Sequence, residues 1–203
     1  HGKVVALKAH RDLNLWYRTG LPYDEIHPED PNNVGVIARS ETDGQENMKA
    51  YKQIPDWKTH YPVAAYVSDL NDENGNPGWY LPAIKEVQAM VGWIDGEVLS
   101  PDGEAGQEPS EAMKEKRKAI NQLIVDNGGN EFYFYGYDVS FIIDQTNAWE
   151  ADYFNRIYTS TETDYQVHPM VFKFYLRNGW WETMHVYGDL AGSYGEVRPF
   201  LAF

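Results

Sequence analysis

The sequence predicts a single α+β domain over residues 1–203, and three observations carry that reading. Two stretches place apolar residues at helical spacing behind a proline, and a third does so behind a serine. An alternating run is broken at its middle by Asn178-Gly179, the strongest short-range signal for a β-hairpin. Strand-like segments stand near both ends. At 203 residues the chain is long enough to bury a substantial core.

In chain order, KVVALKAH (Lys3 to His10) is expected as a buried strand, and residues 18–45, rich in Pro, Asn, Asp and Gly, as a long irregular connection. Val63, Tyr66, Val67 and Leu70 then form a helical stripe behind Pro62, which suits a first-turn position, and the helix should stop within NDENGNPG. In GWYLPAIKEVQAM, Pro82 opens a second helix with a stripe of Ile84, Val87, Met90 and Val91, and Gly92 is a natural stop. Trp79 and Leu81 precede that helix, where an apolar residue clamps the incoming chain against the helix's buried face. Trp79, Leu81 and Pro82 are therefore expected as structural residues, not as a ligand platform.

Residues 95–110 read as an acidic, Gly- and Pro-rich loop ending at Ser110, the cap of a third helix with Met113, Ile120, Leu123 and Ile124 on its buried face. DNGGN ends it; EFYFYGYDVSFIID is strand-like, and WEADYFNR is ambiguous between helix and loop. A two-residue turn at Asn178-Gly179 would pair Arg177 with Trp180. One hairpin face then collects Met170, Phe172, Phe174 and Leu176 with Trp181, Thr183, His185 and Tyr187, a core composition. The other face collects Val171, Lys173, Tyr175 and Arg177 with Trp180, Glu182, Met184 and Val186, and is mixed. GEVRPFLAF closes as a strand suited to pair with the N-terminal one.

Seventeen Lys and Arg against 31 Asp and Glu leave a formal charge of −14, which argues against nucleic-acid backbones and anionic lipid surfaces. There is no cysteine, which excludes disulfides, thiolate metal sites and cysteine nucleophiles. No apolar run reaches the roughly 20 residues needed to span a bilayer. The opening at His1 suits a processed or trimmed piece, and an exported bacterial protein is expected.

Taken together and in order, HGKVVAL, DGQEN with YPVAAYV, GWYLPAIKEVQAM, INQLIVDNGG, YTSTETD and VRPFLAF resemble a known pattern. It is that of the C-type-lectin-like domain family of Bacteroidetes surface and secreted proteins, akin to the Fibrobacter major paralogous domain. The resemblance spans nearly the whole chain. It implies paired terminal strands, two main helices and a second small antiparallel sheet holding the hairpin at 170–187, in a fold shared with formylglycine-generating enzymes. Ala83 stands where the family has Ser, and Tyr158 where it has Trp. Residues 131–156 form an insertion longer than the family's usual connection, a place for specificity of this chain's own.

Calcium-dependent sugar binding in true C-type lectins uses a Glu-Pro-Asn or Gln-Pro-Asp loop and a Trp-Asn-Asp strand. Glu108-Pro109-Ser110 is the nearest approach here and reads as a loop entering a helix cap. Asp69, Asn71, Asp72, Glu73 and Asn74 offer oxygens, but the Gly falls one place late for an EF-hand and Tyr80 stands where its bidentate Glu belongs, so a turn is favoured over a calcium site. The six His contain no metal-binding pair, and His185 reads as a core or rim histidine on the apolar hairpin face. No nucleophile elbow or P-loop occurs, and Glu150 with Asp152 reads as a solvated acidic loop.

The aromatic content of 15% pulls towards binding, since rings stack on sugars and anchor protein interfaces. The candidate ligand-binding residues are Trp180, Tyr175 and Arg177 on the mixed hairpin face, with Trp149, Tyr153, Tyr165 and His168 in loops; burial in the core is the competing reading for each ring. The expected function is an exported, non-enzymatic adhesion module at the cell surface, secreted or on an outer-membrane lipoprotein, recognising a glycan or protein. Neither a cofactor nor a metal is expected, and nucleic acid and membrane insertion by this chain are not. The alternatives are a structural or tip subunit of a fimbria-like assembly and, third, a glycan-active enzyme.

Overall fold

The computed structural model describes residues 2–10, 37–74, 78–96, 109–132, 156–162, 169–174, 181–185 and 196–203. The fold is mixed α+β. In chain order the elements are β1 (Lys3–Val5), α1 (Gly44–Tyr51), α2 (Trp57–His60), α3 (Pro62–Asn74), β2 (Trp79–Tyr80) and α4 (Ile84–Asp95). They are followed by α5 (Glu111–Asp126), β3 (Arg156–Glu162), β4 (Pro169–Phe174), β5 (Trp181–His185) and β6 (Phe200–Ala202). The strands form two three-stranded antiparallel sheets, ordered β1-β6-β2 and β3-β4-β5.

The terminal strands pair as expected, Lys3 facing Ala202 and Val5 facing Phe200. The strand is shorter than KVVALKAH suggests, and it is not buried: Lys3 and Val4 are exposed, and beyond Val5 the pairing continues through the Ala6 N–H on the Pro199 carbonyl and a bridge from His10 to Val197. Five helices are described, where the residues predicted three and the resemblance implied two main ones. α1 starts at the end of the stretch read as irregular, its first turn capped by Asp43, whose carboxylate accepts from the Glu46 N–H at 3.1 Å. Pro62 opens α3, and α3 stops inside the expected stretch.

α4 begins after Pro82 as predicted, but it runs through Gly92 and ends at Gly96, whose φ of 76° is the left-handed conformation a helix stop requires. Gly92 is buried inside the helix. α5 starts at the Ser110 cap, whose hydroxyl accepts from the Met113 N–H at 3.3 Å. Its inward face differs from the expected one: Ile124 is buried and Ile120 partly so, while Leu123 is 59% exposed. Arg117 and Asn121 turn inward because partners wait there. Arg117 makes a two-bond fork with Asp95, both bonds at 2.7 Å, and Asn121 exchanges two hydrogen bonds with the backbone of Phe132.

In the hairpin, Phe174 faces Trp181 and Met170 faces His185, two residues away from the register that an Asn178-Gly179 turn would set. A shift of two keeps the paired residues 170–174 and 181–185 in the same two alternating sets while their partners change. β4 must also fit β3, where Ile157 faces the fully buried Phe172 and a bulge falls between Tyr158 and Glu162. Val63, Val67, Ile84, Val87, Val91, Ile157, Phe172 and Phe200 form one core shared by both sheets and the helices.

Candidate binding groove

Trp180, Tyr175, Arg177, Trp149, Tyr153, Tyr165 and His168 all lie outside the described residues, as do Glu108, Glu150 and Asp152. Of the structural residues, Leu81 and Pro82 are buried and Trp79 is half-buried against the core. Tyr80 between them is the deeper ring, 3% exposed and edge-on to Phe200. Of the oxygens weighed for calcium, those of Asp69 and Asn71 are committed elsewhere. Asp69, inside α3, pairs with Lys58, and the Asn71 carboxamide binds the backbone of Gly78 and Trp79.

The buried polar groups form joints. Glu86 Oε2 accepts from the backbone N–H of Ala83 at 2.7 Å and of Gly44 at 3.0 Å. Its Oε1 accepts from the Tyr80 hydroxyl at 2.8 Å and from Lys3. Four donors satisfy a carboxylate, and no basic lone pair is left for chemistry. Ala83 cannot cap α4, so Thr161 Oγ1 accepts the Ile84 N–H at 3.0 Å instead and donates to the Ser40 carbonyl at 2.9 Å. Asn47 joins Ser40 to the Ser160 hydroxyl, Tyr51 donates to the Ser160 carbonyl at 2.6 Å, and Glu162 accepts from the N–H groups of Ile37 and Ala38. The polar run of β3 is thus buried and holds backbone, a role its composition did not announce.

Arg198 is fully buried and pairs with Glu196 at 2.9 Å. Its guanidinium also donates to the carbonyls of Ala6, Leu7, Asn130 and Glu131 and lies 3.8 Å from the Phe132 ring centre. This one side chain ties the C-terminal segment to the end of β1 and to the exit of α5. Burial holds the Tyr80 hydroxyl well above its ordinary pKa, helped by its bond to Glu86 and by the charges of Glu86 and Asp43. Burial does the same for Tyr158. Both stay protonated phenols at neutral pH.

Space for a ligand lies elsewhere, between β1, α4 and α5. A groove of about 720 Å³ is floored by Ile94, Ile124, Phe132 and Phe200 and walled by Val4, Leu7, Met90, Trp93 and Leu123. Its size is within the range of ligand sites. Among the described residues six large apolar side chains are exposed, and four of them, Val4, Leu7, Trp93 and Leu123, line this groove. Such clustering marks an interaction surface, where single exposed apolar residues would not. At one end stand Lys3, paired with Glu86, and Lys85, paired with Glu41 at 2.7 Å. No group of three or more His, Asp or Glu side chains among the described residues can hold a metal ion.

Sequence reading missed this site. The signal was a second stripe on α4, Ala89, Met90 and Trp93, offset from the core stripe of Ile84, Val87 and Val91. No family model, no curated protein and no solved structure matches the chain.

Proposed function

We propose that the chain is a C-type-lectin-like domain serving as a non-enzymatic binding module, exported and displayed at a bacterial surface, and that it engages a polypeptide partner through the β1–α4–α5 groove. The ordered string of motifs and the paired terminal strands support the fold. One observation carries the function: four of the six exposed large apolar side chains of the described residues gather in one groove. Sugars need a dense set of hydrogen-bonding groups beside an aromatic platform, and this groove is apolar apart from its lysine end; a protein surface fits it better. The buried carboxylates Glu86, Asp95, Glu162 and Glu196 bind groups of the chain itself, which supports binding over catalysis.

The test compares bacteria displaying the native chain with bacteria displaying Trp93→Ser/Leu123→Ser, on wells coated with extracellular matrix proteins and on a glycan array. Attachment to a protein coat that drops at least tenfold in the variant, with a blank array, is the expected result. Glycan binding indifferent to the double substitution, or equal attachment by both strains, would overturn the reading.

A further inference from the structure

The terminal sheet has two edges, and the backbone treats them differently. At the β2 edge, the outward N–H and C=O of Trp79 are both taken by the Asn71 carboxamide, at 2.8 Å each. A primary amide has the donor and acceptor of a peptide group, so Asn71 stands in for a neighbouring strand and seals that edge.

The β1 edge has no such seal. Gly2 exchanges both hydrogen bonds with Phe203, and the Ala6 N–H donates to the Pro199 carbonyl at 2.9 Å. Antiparallel pairs alternate, so the even residues of β1 bond to β6, and the N–H and C=O of Lys3 and Val5 point away from the sheet. No described residue pairs with those groups.

The groove runs along this open edge. A pocket on one face of a strand is lined by alternate residues, whereas this one is lined by five in succession, Lys3 to Leu7. An open ladder and an apolar trough therefore lie side by side along β1, whose three residues span roughly 10 Å of extended chain. We propose, resting on the groove as a binding site, that its occupant is an extended segment of a different polypeptide that adds a strand to β1. Its backbone pairs with Lys3 and Val5, alternate apolar side chains enter the groove beside Trp93 and Leu123, and an acidic residue meets Lys3 and Lys85.

Three features select that occupant. A helix keeps its backbone groups to itself and would leave Lys3 and Val5 unpaired. A second copy brings another charge of −14, which opposes association. The charged groups lining the groove are Lys3, Lys85 and Glu86; the Lys3 side chain is 46% exposed and its ammonium spends one of its three donors on Glu86, so it can also take a carboxylate from a partner.

The experiment selects peptides from a displayed random library against the whole chain, then measures them as synthetic peptides alongside twins N-methylated at alternate residues. Selected peptides should alternate apolar and polar residues, carry Asp or Glu at one end, and lose at least tenfold in affinity on N-methylation at one parity only. Val5→Pro should cost a similar factor while keeping the native circular dichroism spectrum, because the Val5 N–H is not in the β1–β6 ladder. Peptides with helical spacing, or twins that bind as well as their parents, would overturn strand addition yet leave the groove as a binding site, provided Trp93→Ser weakens them. Peptides indifferent to Trp93→Ser and Leu123→Ser, or none selected, would sink both readings. Sedimentation showing a dimer that Val5→Pro dissolves would replace the foreign segment with a second copy.

Discussion

The two edges of the terminal sheet, β2 and β1, flank the same central strand and end differently. β2 is two residues long and sealed by Asn71; β1 is held at both ends by side chains and left open along its middle. The difference teaches where burial of polar groups is complete and where the surface keeps something unpaired. Glu86, Thr161, Asn47 and Arg198 leave nothing over at the joints they make. On β1 the outward N–H and C=O of Lys3 and Val5, beside the groove, have no partner among the described residues.

Breaking the hold on β1 should have the largest effect. Arg198→Met strips the buried Glu196 carboxylate of its partner and four carbonyls of a donor, and is expected to cost about 3–5 kcal/mol, seen as a large drop in the urea midpoint. A loss under about 1 kcal/mol would mean that β1 does not depend on this clasp.

Unsealing β2 comes next. Asn71→Ala should cost about 1–3 kcal/mol by leaving the Trp79 peptide groups without their partner, and should speed hydrogen exchange at the Trp79 amide. Exchange unchanged from the native chain would show that Asn71 does not seal that edge.

The smallest effect is confined to high pH and sharpens the link between the edges. Tyr80 on β2 and Lys3 on β1 meet on the same carboxylate, Glu86. Because burial raises the folded pKa of Tyr80, the unfolded chain releases its proton first, at the ordinary value of about 10. Stability is therefore intact below about pH 10 and falls as pH rises further. Tyr80→Phe should flatten part of that fall in urea titrations at rising pH; Tyr158, raised in the same direction, supplies another part.

Three helix starts were legible because they rest on local chemistry: Pro62 is the first residue of α3, Ser110 caps α5 and Pro82 stands just ahead of Ala83 at the N-cap position of α4, whereas the starts of α1 and α2 were not read. Helix ends were less so. Gly92 and Gly96 are both plausible stops, and only the Asp95–Arg117 fork, a contact between residues distant in the chain, explains why the helix continues. The same fork hid the inward face of α5, since a charged residue on a helix reads as exposed until its buried partner is known. Pairing of the terminal strands was readable from their apolar patterns, but the open edge was not, because it depends on which peptide groups point outward. The groove combines β1, one side of α4 and the exposed Leu123, three segments that no local window joins. The polar run Thr159 to Glu162 carried no sequence sign that it caps α4 and holds residues 37–40.

β6 is the middle strand, and β1 and β2 meet only through it. The sheet is therefore assembled last: until residues 200–202 have been synthesised, its two outer strands have nothing to join them, although the helices between can already form. A nascent chain would carry an unclosed apolar core until this strand emerges, so trimming the stretch from Phe200 to Ala202 should be punished far beyond its length, by aggregation during production and not merely by a lower melting point.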